Sequence, residues 1–315
     1  MGKYAFGADI GGTTVKLGLF QTDGTLVAKW EIPTRTEENG GWILEDVARS
    51  IQERMKTDKI APRETEGIGI GVPGPVGEDG IVYKCVNLGW DVTDAAARMR
   101  ELTGMKISVG NDANVAALGE MWQGGGRGYR NVVMLTLGTG VGGGIILDGH
   151  ILSGTHGAGG EIGHFPVCEE ESEACGCGNK GCLEQYASAN GIVRVARRWL
   201  AGREDASRLR DLETITAKAI FDLAREKDPL AEELADYMGR MVGRACAYIS
   251  CVCDPQVFVI GGGVSRAGDI LTDSIQKHYA KAAFHACRDA AFKLALLGND
   301  AGIYGCARMV LNGAE

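Results

Sequence analysis

The feature that most constrains the fold is a pattern that occurs twice: an apolar strand, a turn rich in glycine and threonine, and a second strand. The first copy covers residues 7–19 and the second covers residues 134–147. Two copies of one supersecondary unit indicate two related domains, each presenting one glycine turn. The length of 315 residues agrees with this number, because one domain usually contains about 150 residues.

Helical and strand patterns alternate around both copies. Apolar residues recur at helical spacing over residues 43–55, and a short apolar strand is predicted at 67–72. In the second half, a helix is predicted at 229–252, a strand at 256–260 and a further helix from Ser265. Helices between strands require crossover connections, so the pattern predicts α/β domains with mixed sheets.

The composition excludes several functional classes. The formal net charge is −8 and no basic stripe is present to neutralise phosphates, so nucleic-acid binding is not expected. No segment approaches about 18 consecutive apolar residues, and the N-terminus lacks the apolar core of a signal peptide. We therefore expect a soluble, cytoplasmic protein with no membrane partner, whose ten cysteines are thiols.

The second glycine turn, residues 138–143, matches the pattern G-x-G-x-x-G of dinucleotide-binding folds. That fingerprint must open a helix, whereas here Ile145 and Ile146 continue a strand. We interpret the turn as a hairpin whose N–H groups and threonine hydroxyl hold a phosphate, although an ordinary glycine hairpin has the same pattern. Its candidate ATP-binding residues are Gly138, Thr139, Gly140 and Gly142.

The first glycine turn includes a carboxylate. Asp9 suits Mg²⁺, directly or through water, and the small residues after it let the β- and γ-phosphates of a nucleotide approach. Lys16 lies one alternation beyond the turn and either joins the site or is solvated. The candidate ATP-binding residues here are Asp9, Gly11, Gly12, Thr13, Thr14 and Lys16.

A third glycine segment consists of Gly261, Gly262 and Gly263, with a predicted strand before it and a predicted helix after it. This arrangement is typical of a phosphate or nucleoside contact, and a packed turn is the alternative. Three glycine sites along the chain are what a nucleotide clamped between domains requires.

The segment Asn111, Asp112, Ala113 and Asn114 lies where a predicted strand meets a helix, a usual place for a functional carboxylate in an α/β domain. Either Asn111 or Asp112 can cap that helix. Transfer of a phosphoryl group to an alcohol needs a carboxylate that orients the hydroxyl and takes its proton. Asp112 is the candidate for this base, and helix capping alone is the alternative.

A cysteine-rich loop gives the strongest local signal. Cys175, Cys177 and Cys182 fall within eight residues separated by glycines, so three thiolates can surround one tetrahedral zinc. His164 can supply the fourth ligand, which leaves no open position and predicts a structural metal. Folding of this loop also brings Glu161, His164 and Glu184 together as side chains able to bind vicinal hydroxyls.

Together these motifs resemble the bacterial glucokinases of the ROK family (repressors, open reading frames and kinases), within the superfamily of sugar kinases, heat-shock proteins and actin. The resemblance covers essentially the whole chain. Its motifs are the Asp9 turn, the segments 111–114, 137–142 and 161–164, the run CxCGxxGCxE at 175–184, and the glycines 261–263. The acidic stretch 169–173 departs from the family pattern, and we expect it to be a local elaboration at the surface.

The resemblance implies a two-domain, actin-like ATPase fold of the ribonuclease H type with a zinc-bearing loop. The expected small domain is 1–112 plus 299–315, and the expected large domain is 113–298. The resemblance also implies that Asp112 is the catalytic base. The implied sugar-binding residues are Asn87, Asn111, Asp112, Glu161, His164 and Glu184, and the implied zinc ligands are His164, Cys175, Cys177 and Cys182.

The implied activity is a glucokinase reaction, in which Mg·ATP donates its γ-phosphoryl group to the 6-hydroxyl of glucose at the entry to glycolysis. A homo-oligomer, dimer or tetramer, is expected. The alternatives are a kinase for another hexose or N-acetylhexosamine, another phosphoryl donor, or a sugar-sensing relative of the ROK repressors. A repressor needs a DNA-binding domain ahead of the first turn, and only eight residues precede Asp9. An actin-like filament protein would leave the cysteine loop unexplained.

Overall fold

The computed structural model describes residues 2–77 and 79–312 of the chain. Its strands are β1 Tyr4–Ile10, β2 Thr14–Gln21, β3 Leu26–Pro33, β4 Thr65–Val72, β5 Ile81–Val82, β6 Thr93–Asp94, β7 Ile107–Asn111, β8 Val132–Leu137, β9 Val141–Leu147, β10 His150–Ile151, β11 Val257–Gly261 and β12 Ala291–Leu294. Its α-helices are α1 Glu37–Gly40, α2 Ile43–Asp58, α3 Ala95–Thr103, α4 Asp112–Gln123, α5 Glu184–Ala187, α6 Ala189–Gly202, α7 Ala217–Arg225, α8 Pro229–Cys253, α9 Asp269–Ala282 and α10 Ala301–Asn312.

Two five-stranded sheets repeat one topology. Their strand orders are β3-β2-β1-β4-β7 and β10-β9-β8-β11-β12. In the first sheet β1, β2 and β3 are antiparallel neighbours, whereas β1, β4 and β7 run parallel. In the second, β9 and β10 are antiparallel, whereas β8, β11 and β12 run parallel. The equal order and matching directions confirm the predicted repeat and the mixed α/β fold class.

The chain divides into two compact units. The first contains the residues up to Arg130, residues 144–160 and the residues from Leu296 onward, and the second contains residues 131–143 and 161–295. The boundary expected from the sequence, at residue 112, would place α4 in the other unit. In the structure α4 belongs to the first unit because it packs directly against α10: a Cβ at Gly119 would lie 2.2 Å from the carbonyl oxygen of Ala301.

Helix α10 approaches its neighbours closely enough to exclude side chains at the contact. A Cβ at Gly69 of β4 would lie 1.7 Å from the carbonyl oxygen of Cys306. A Cβ at Gly305 would lie 1.5 Å from the carbonyl oxygen of Val115 in α4. Only glycine permits such an approach, so part of the high glycine content follows from the packing of this one helix.

The second unit is built around the long helix α8, which packs on α9 through small residues. A Cβ at Gly243 would lie 2.6 Å from the carbonyl oxygen of Ile275. Aromatic rings of β11, α9 and β12 pack beside this pair, and the rings of Phe258 and Phe292 stack with centroids 5.0 Å apart. In the described part of the chain, no helix is both long and apolar enough to cross a bilayer.

Two predicted boundaries in the second unit were wrong in detail. The helix expected from Ser265 begins as a 3₁₀ turn over Gly263–Ala267, and α9 starts only at Asp269. The cause is Gly268, whose φ of 67° interrupts the helical path. The second glycine turn is also shorter than expected, because β9 already begins at Val141.

We predict that Gly305→Ala lowers the free energy of unfolding by about 3 kcal/mol, because the new methyl group collides with backbone and not with a movable side chain. Gly202→Ala is the matched control, since a Cβ added to this helical glycine would have no atom within 4 Å. Its stability should stay within about 0.5 kcal/mol of wild type. Urea denaturation measures both, and equal stabilities of the two variants would contradict the packing described for α10.

Candidate active site

Polar side chains collect at one edge of the first sheet. Asp9 is the next-to-last residue of β1, Asn111 ends β7, and Asp112 begins α4. In the parallel register, Gly71 of β4 pairs with Asp9 on one side and with Gly110 of β7 on the other. The carboxyl ends of the three parallel strands therefore place these side chains at the same edge, where α/β proteins bind ligands.

Asp9 occupies a partly buried position and is close enough to Asp112 to feel its charge. Burial, followed by the charge of Asp112, raises the pKa of its carboxyl to about 6, although the charge of Lys16 acts in the opposite direction. The Lys16 ammonium itself donates to the carbonyl oxygen of Asn299 at 3.0 Å. Helix α10 packs directly against this carboxylate, since a Cβ at Gly302 would lie 2.3 Å from Asp9 Oδ2. A bound cation would relieve the repulsion between the two carboxylates.

Asn111, not Asp112, is the N-cap of α4. Its Oδ1 accepts hydrogen bonds from the N–H groups of Ala113 at 3.0 Å and Asn114 at 3.2 Å. Its Nδ2 donates to the carbonyl oxygen of Gly74 at 3.2 Å. Asp112 Oδ1 accepts from the N–H of Ala113 at 2.8 Å. The Asp112 carboxylate is thus oriented at the positive end of the α4 dipole.

The first glycine turn is pinned at its base and exposed at its tip. The N–H of Gly11 donates to the carbonyl oxygen of Thr14 at 3.0 Å, and Thr34 Oγ1 donates to the carbonyl oxygen of Gly11 at 2.6 Å. Gly12 is exposed, and a Cβ there would lie 3.5 Å from the carbonyl oxygen of Asn87. The structure therefore brings Asn87 beside the turn predicted to bind phosphate.

In the second unit, Glu184 is held against the second glycine turn. The N–H of Gly138 donates to the carbonyl oxygen of Gly140 at 2.9 Å, which closes the turn. Glu184 Oε2 accepts from the N–H of Val141 at 3.0 Å, and a Cβ at Gly140 would lie 2.2 Å from the same carboxylate oxygen. A predicted sugar ligand and a predicted phosphate turn are therefore in direct contact.

The third glycine segment lies beside the end of β8. Gly261 pairs with Thr136 in the parallel register. Gly262 has a φ of 82°, and a Cβ there would lie 2.5 Å from the carbonyl oxygen of Leu137. The packed-turn alternative thus accounts for Gly262. A Cβ added to Gly263, in contrast, would have no atom within 4 Å, and this residue faces a cavity.

That cavity has a volume of about 390 Å³. It is lined by Thr216, Lys218, Phe221, Arg225, Gly263 and Val264, among others. The residues from α7 and its N-cap carry no motif, so they were not predicted from the sequence. They lie next to the third glycine segment only in the folded chain, and the sequence carries no signal of that proximity.

The cysteine loop forms a cluster with the donor set of zinc. The ligand atoms of His164, Cys175, Cys177 and Cys182 all lie within 4.8 Å of one another. The Sγ atoms of Cys177 and Cys182 are 3.7 Å apart, and Cys175 Sγ is 3.8 Å from His164 Nδ1. Zinc–sulfur bonds of about 2.3 Å in a tetrahedron place neighbouring sulfurs about 3.8 Å apart. The geometry of the cluster therefore fits a zinc ion.

The cluster also touches the predicted sugar ligands. His164 directs Nδ1 toward the thiols, and its Nε2 lies 3.9 Å from Glu161 Oε2. Cys175 Sγ is 3.7 Å from Glu184 Oε1. Burial raises the pKa of the Cys182 thiol to about 12, so a bound cation is what would make this group a thiolate. The loop therefore places Glu161 beside His164 and Glu184 beside Cys175.

Comparison with known proteins agrees with these features. The ROK family matches over residues 5–312. The chain is 41% identical to a glucokinase of Halalkalibacterium halodurans, over 96% of this chain and 93% of the relative. It is 37% identical to a glucokinase of Thermotoga maritima, over 96% of both chains.

A solved structure with the same fold is a ROK family glucokinase from Streptomyces griseus in complex with glucose and AMPPNP. It has a TM-score of 0.71 and 32% sequence identity, and the match covers 96% of this chain and 98% of that one. A ROK hexokinase from Thermus thermophilus matches with a TM-score of 0.80 and 29% identity, over 99% of both chains. The protein therefore belongs to the ROK family.

Proposed function

We propose that this ROK sugar kinase is a glucokinase, which transfers the γ-phosphoryl group of ATP to the 6-hydroxyl of glucose. The observation that carries the proposal is the similarity, over nearly the whole chain, to glucokinases that include one solved with glucose and an ATP analogue. The site residues are consistent with this activity, because they combine a placed carboxylate with hydroxyl-binding side chains and exposed glycine turns.

In this proposal Asp112 is the general base. Its carboxylate accepts the proton of the sugar 6-hydroxyl while that oxygen forms a bond to the γ-phosphorus. The bond from the γ-phosphorus to the bridging oxygen breaks in the same step, and ADP leaves with the bonding electrons. The proton on Asp112 then passes to solvent. The hydrogen bond from Ala113 N–H holds the carboxylate in place for this transfer.

The glycine segments are proposed to bind ATP. The exposed turn at Gly12 and the turn closed at Gly138 offer backbone N–H groups to phosphates. The cavity beside Gly263 is proposed to hold the nucleoside, with the ring of Phe221 as an apolar surface. Mg²⁺, held by Asp9 directly or through water, would neutralise charge on the β- and γ-phosphates.

The sugar is proposed to contact Asn87, Asn111, Asp112, Glu161, His164 and Glu184. In this assignment His164 has two functions, since Nδ1 faces the thiols and Nε2 remains for a hydroxyl. Zinc would be structural, because four protein donors leave no open coordination position. Its role would be to fix the side chains that flank the loop.

We further propose a cytoplasmic, homo-oligomeric enzyme. All ten cysteines lie in the described part of the chain and are free thiols there, as suits a reducing compartment. Size-exclusion chromatography with light scattering measures the oligomeric state directly.

The substrate assignment is tested by a coupled assay across hexoses and phosphoryl donors. We expect glucose with ATP to give the highest kcat/KM among glucose, mannose, fructose, N-acetylglucosamine and N-acetylmannosamine. Hydrogen bonds to sugar hydroxyls can discriminate strongly between hexoses, because a mismatched epimer leaves a buried polar group of the enzyme unpaired. A higher kcat/KM for an N-acetylated hexosamine, or for polyphosphate as donor, would replace the glucokinase assignment with that of the better substrate.

Asp112→Asn should lower kcat by at least about 100-fold while glucose binding and folding persist, because an amide cannot take the hydroxyl proton. Asp91→Asn is the control, since this exposed aspartate lies outside the site. Steady-state kinetics and glucose titration by calorimetry separate the two effects. Near-normal turnover by folded Asp112→Asn would remove this carboxylate from the mechanism.

Cys177→Ser should lose about one zinc per chain and destabilise the protein by several kcal/mol, because metal-binding energy at such a site is folding energy. Cys251→Ser is a matched control, as both cysteines are exposed but Cys251 lies outside the cluster. Elemental analysis and thermal unfolding measure the outcome. Fully active enzyme that contains no zinc would refute the assignment of the cluster.

A further inference from the structure

Glu171 is buried, although it lies in the acidic stretch that was expected to be a surface elaboration. Only 6% of the residue is exposed. Its carboxylate accepts hydrogen bonds from Tyr186 Oη at 2.6 Å and from Arg194 Nη2 at 2.7 Å. A buried carboxylate is costly unless it is paired and fully hydrogen-bonded, so this segment is specifically held in place.

Arg198 completes the environment of this carboxylate. Its Nη1 and Nη2 atoms donate to the two oxygens of Glu171 at 2.9 and 3.0 Å, in a bidentate arrangement. The N–H of Glu173 donates to Oε1 at 3.0 Å. These contacts, with the Arg198 hydrogen bonds foremost, hold the pKa of Glu171 well below its usual range. The Glu171 carboxylate is therefore stabilised in its charged form between two arginines of α6.

Glu173 binds the same two arginines from the solvent side. Its side chain is 58% exposed, and its carboxylate accepts from Arg194 at 3.0 Å and from Arg198 at 2.6 Å. The two glutamates thus share their partners but differ in burial. An exposed ion pair of this kind contributes little to protein stability. Removing one member of a buried ion pair, in contrast, leaves an uncompensated buried charge.

The buried ion cluster is connected to the predicted sugar site through α5. This short helix begins with Glu184 and contains Tyr186, a partner of Glu171. Gln185 lies between them: its carbonyl oxygen accepts from Arg194 at 3.0 Å, and its Nε2 donates to the carbonyl oxygen of Glu173 at 3.0 Å.

The same glutamine reaches the cysteine loop. Gln185 Oε1 accepts from the N–H of Cys182 at 3.1 Å, and Cys175 follows Glu173 by two residues. Helices α5 and α6 and both ends of the cysteine loop are therefore tied to the segment that Glu171 anchors.

We propose that Glu171 is a positioning residue for the sugar substrate, which fixes α5 so that Glu184 keeps its orientation between Val141 and Cys175. The inference rests on the proposed function, because it takes Glu184 to be a sugar ligand. Glu171 itself does not contact the substrate. It acts through Tyr186 and the arginines, which hold the first turn of α5 against the cysteine loop.

The test compares Glu171→Gln with Glu173→Gln, using the full-length protein and whichever hexose the wild type turns over best. An amide at position 171 cannot balance two guanidinium groups, so α5 should shift. We expect the KM for the hexose to rise at least about tenfold in Glu171→Gln, as for other partners that orient a ligand. The KM for ATP should change by less than about twofold, and Glu173→Gln should leave both constants within about twofold of wild type.

The KM values separate positioning from loss of folded protein. A fraction of unfolded enzyme lowers the apparent kcat and leaves KM unchanged. Displacement of a sugar-binding side chain, in contrast, raises the KM for the hexose alone. Arg198→Lys keeps the positive charge but replaces the two-nitrogen guanidinium with one ammonium nitrogen, which cannot make the bidentate contact. It provides a milder variant if Glu171→Gln does not fold. A several-fold increase in hexose KM in Arg198→Lys would support the proposal.

An unchanged hexose KM in folded Glu171→Gln, or in Arg198→Lys where the first variant is insoluble, would overturn the proposal. So would an equal increase after Glu173→Gln, because that effect would come from surface charge. Failure of the glucokinase assignment gives a different result, because the wild type would then prefer another hexose. The KM values of the variants would in that case be measured with the preferred hexose.

Discussion

The contact between the C-terminal helix α10 and the elements beneath it sets the geometry of the first unit. Backbone meets backbone at Gly69 and Gly305, where a methyl group would collide with a carbonyl oxygen. The same helix presses on the Asp9 carboxylate at Gly302. Because β1 carries Asp9 and α4 carries Asp112, this packing also fixes the spacing of the two carboxylates. Burial, followed by the charge of Asp112, then raises the pKa of Asp9.

The second unit depends on a different constraint, the cysteine loop and its attachments. A loop of this length with several glycines has little apolar surface to bury, so it needs fixed polar contacts or a metal to hold one conformation. The structure provides fixed polar contacts, through a buried glutamate bound by two arginines of α6, and four donor atoms close enough to hold one metal ion. Glu184 lies where these two supports meet and also contacts the second glycine turn.

Much of the fold could be predicted because its signals are local. The repeated strand and glycine turn appear in the sequence, and so do the four clustered donors and the polar residues at the start of α4. Burial of Glu171 could not be predicted, because its partners lie 23 and 27 residues later and an acidic run usually indicates a solvated surface. The cavity residues of α7 were missed for the same reason, and the structure groups α4 with the first unit because its contacts are with the distant α10.

The proposed reaction transfers a phosphoryl group from ATP to the 6-oxygen of glucose. Nuclear magnetic resonance of a reaction containing ATP, Mg²⁺ and carbon-13-labelled glucose tests it most directly, since coupling between phosphorus and carbon identifies the esterified position. We expect a phosphate ester with coupling centred at carbon 6 and one ADP formed for each glucose consumed. Phosphate on another carbon, or release of inorganic phosphate with glucose unchanged, would contradict it.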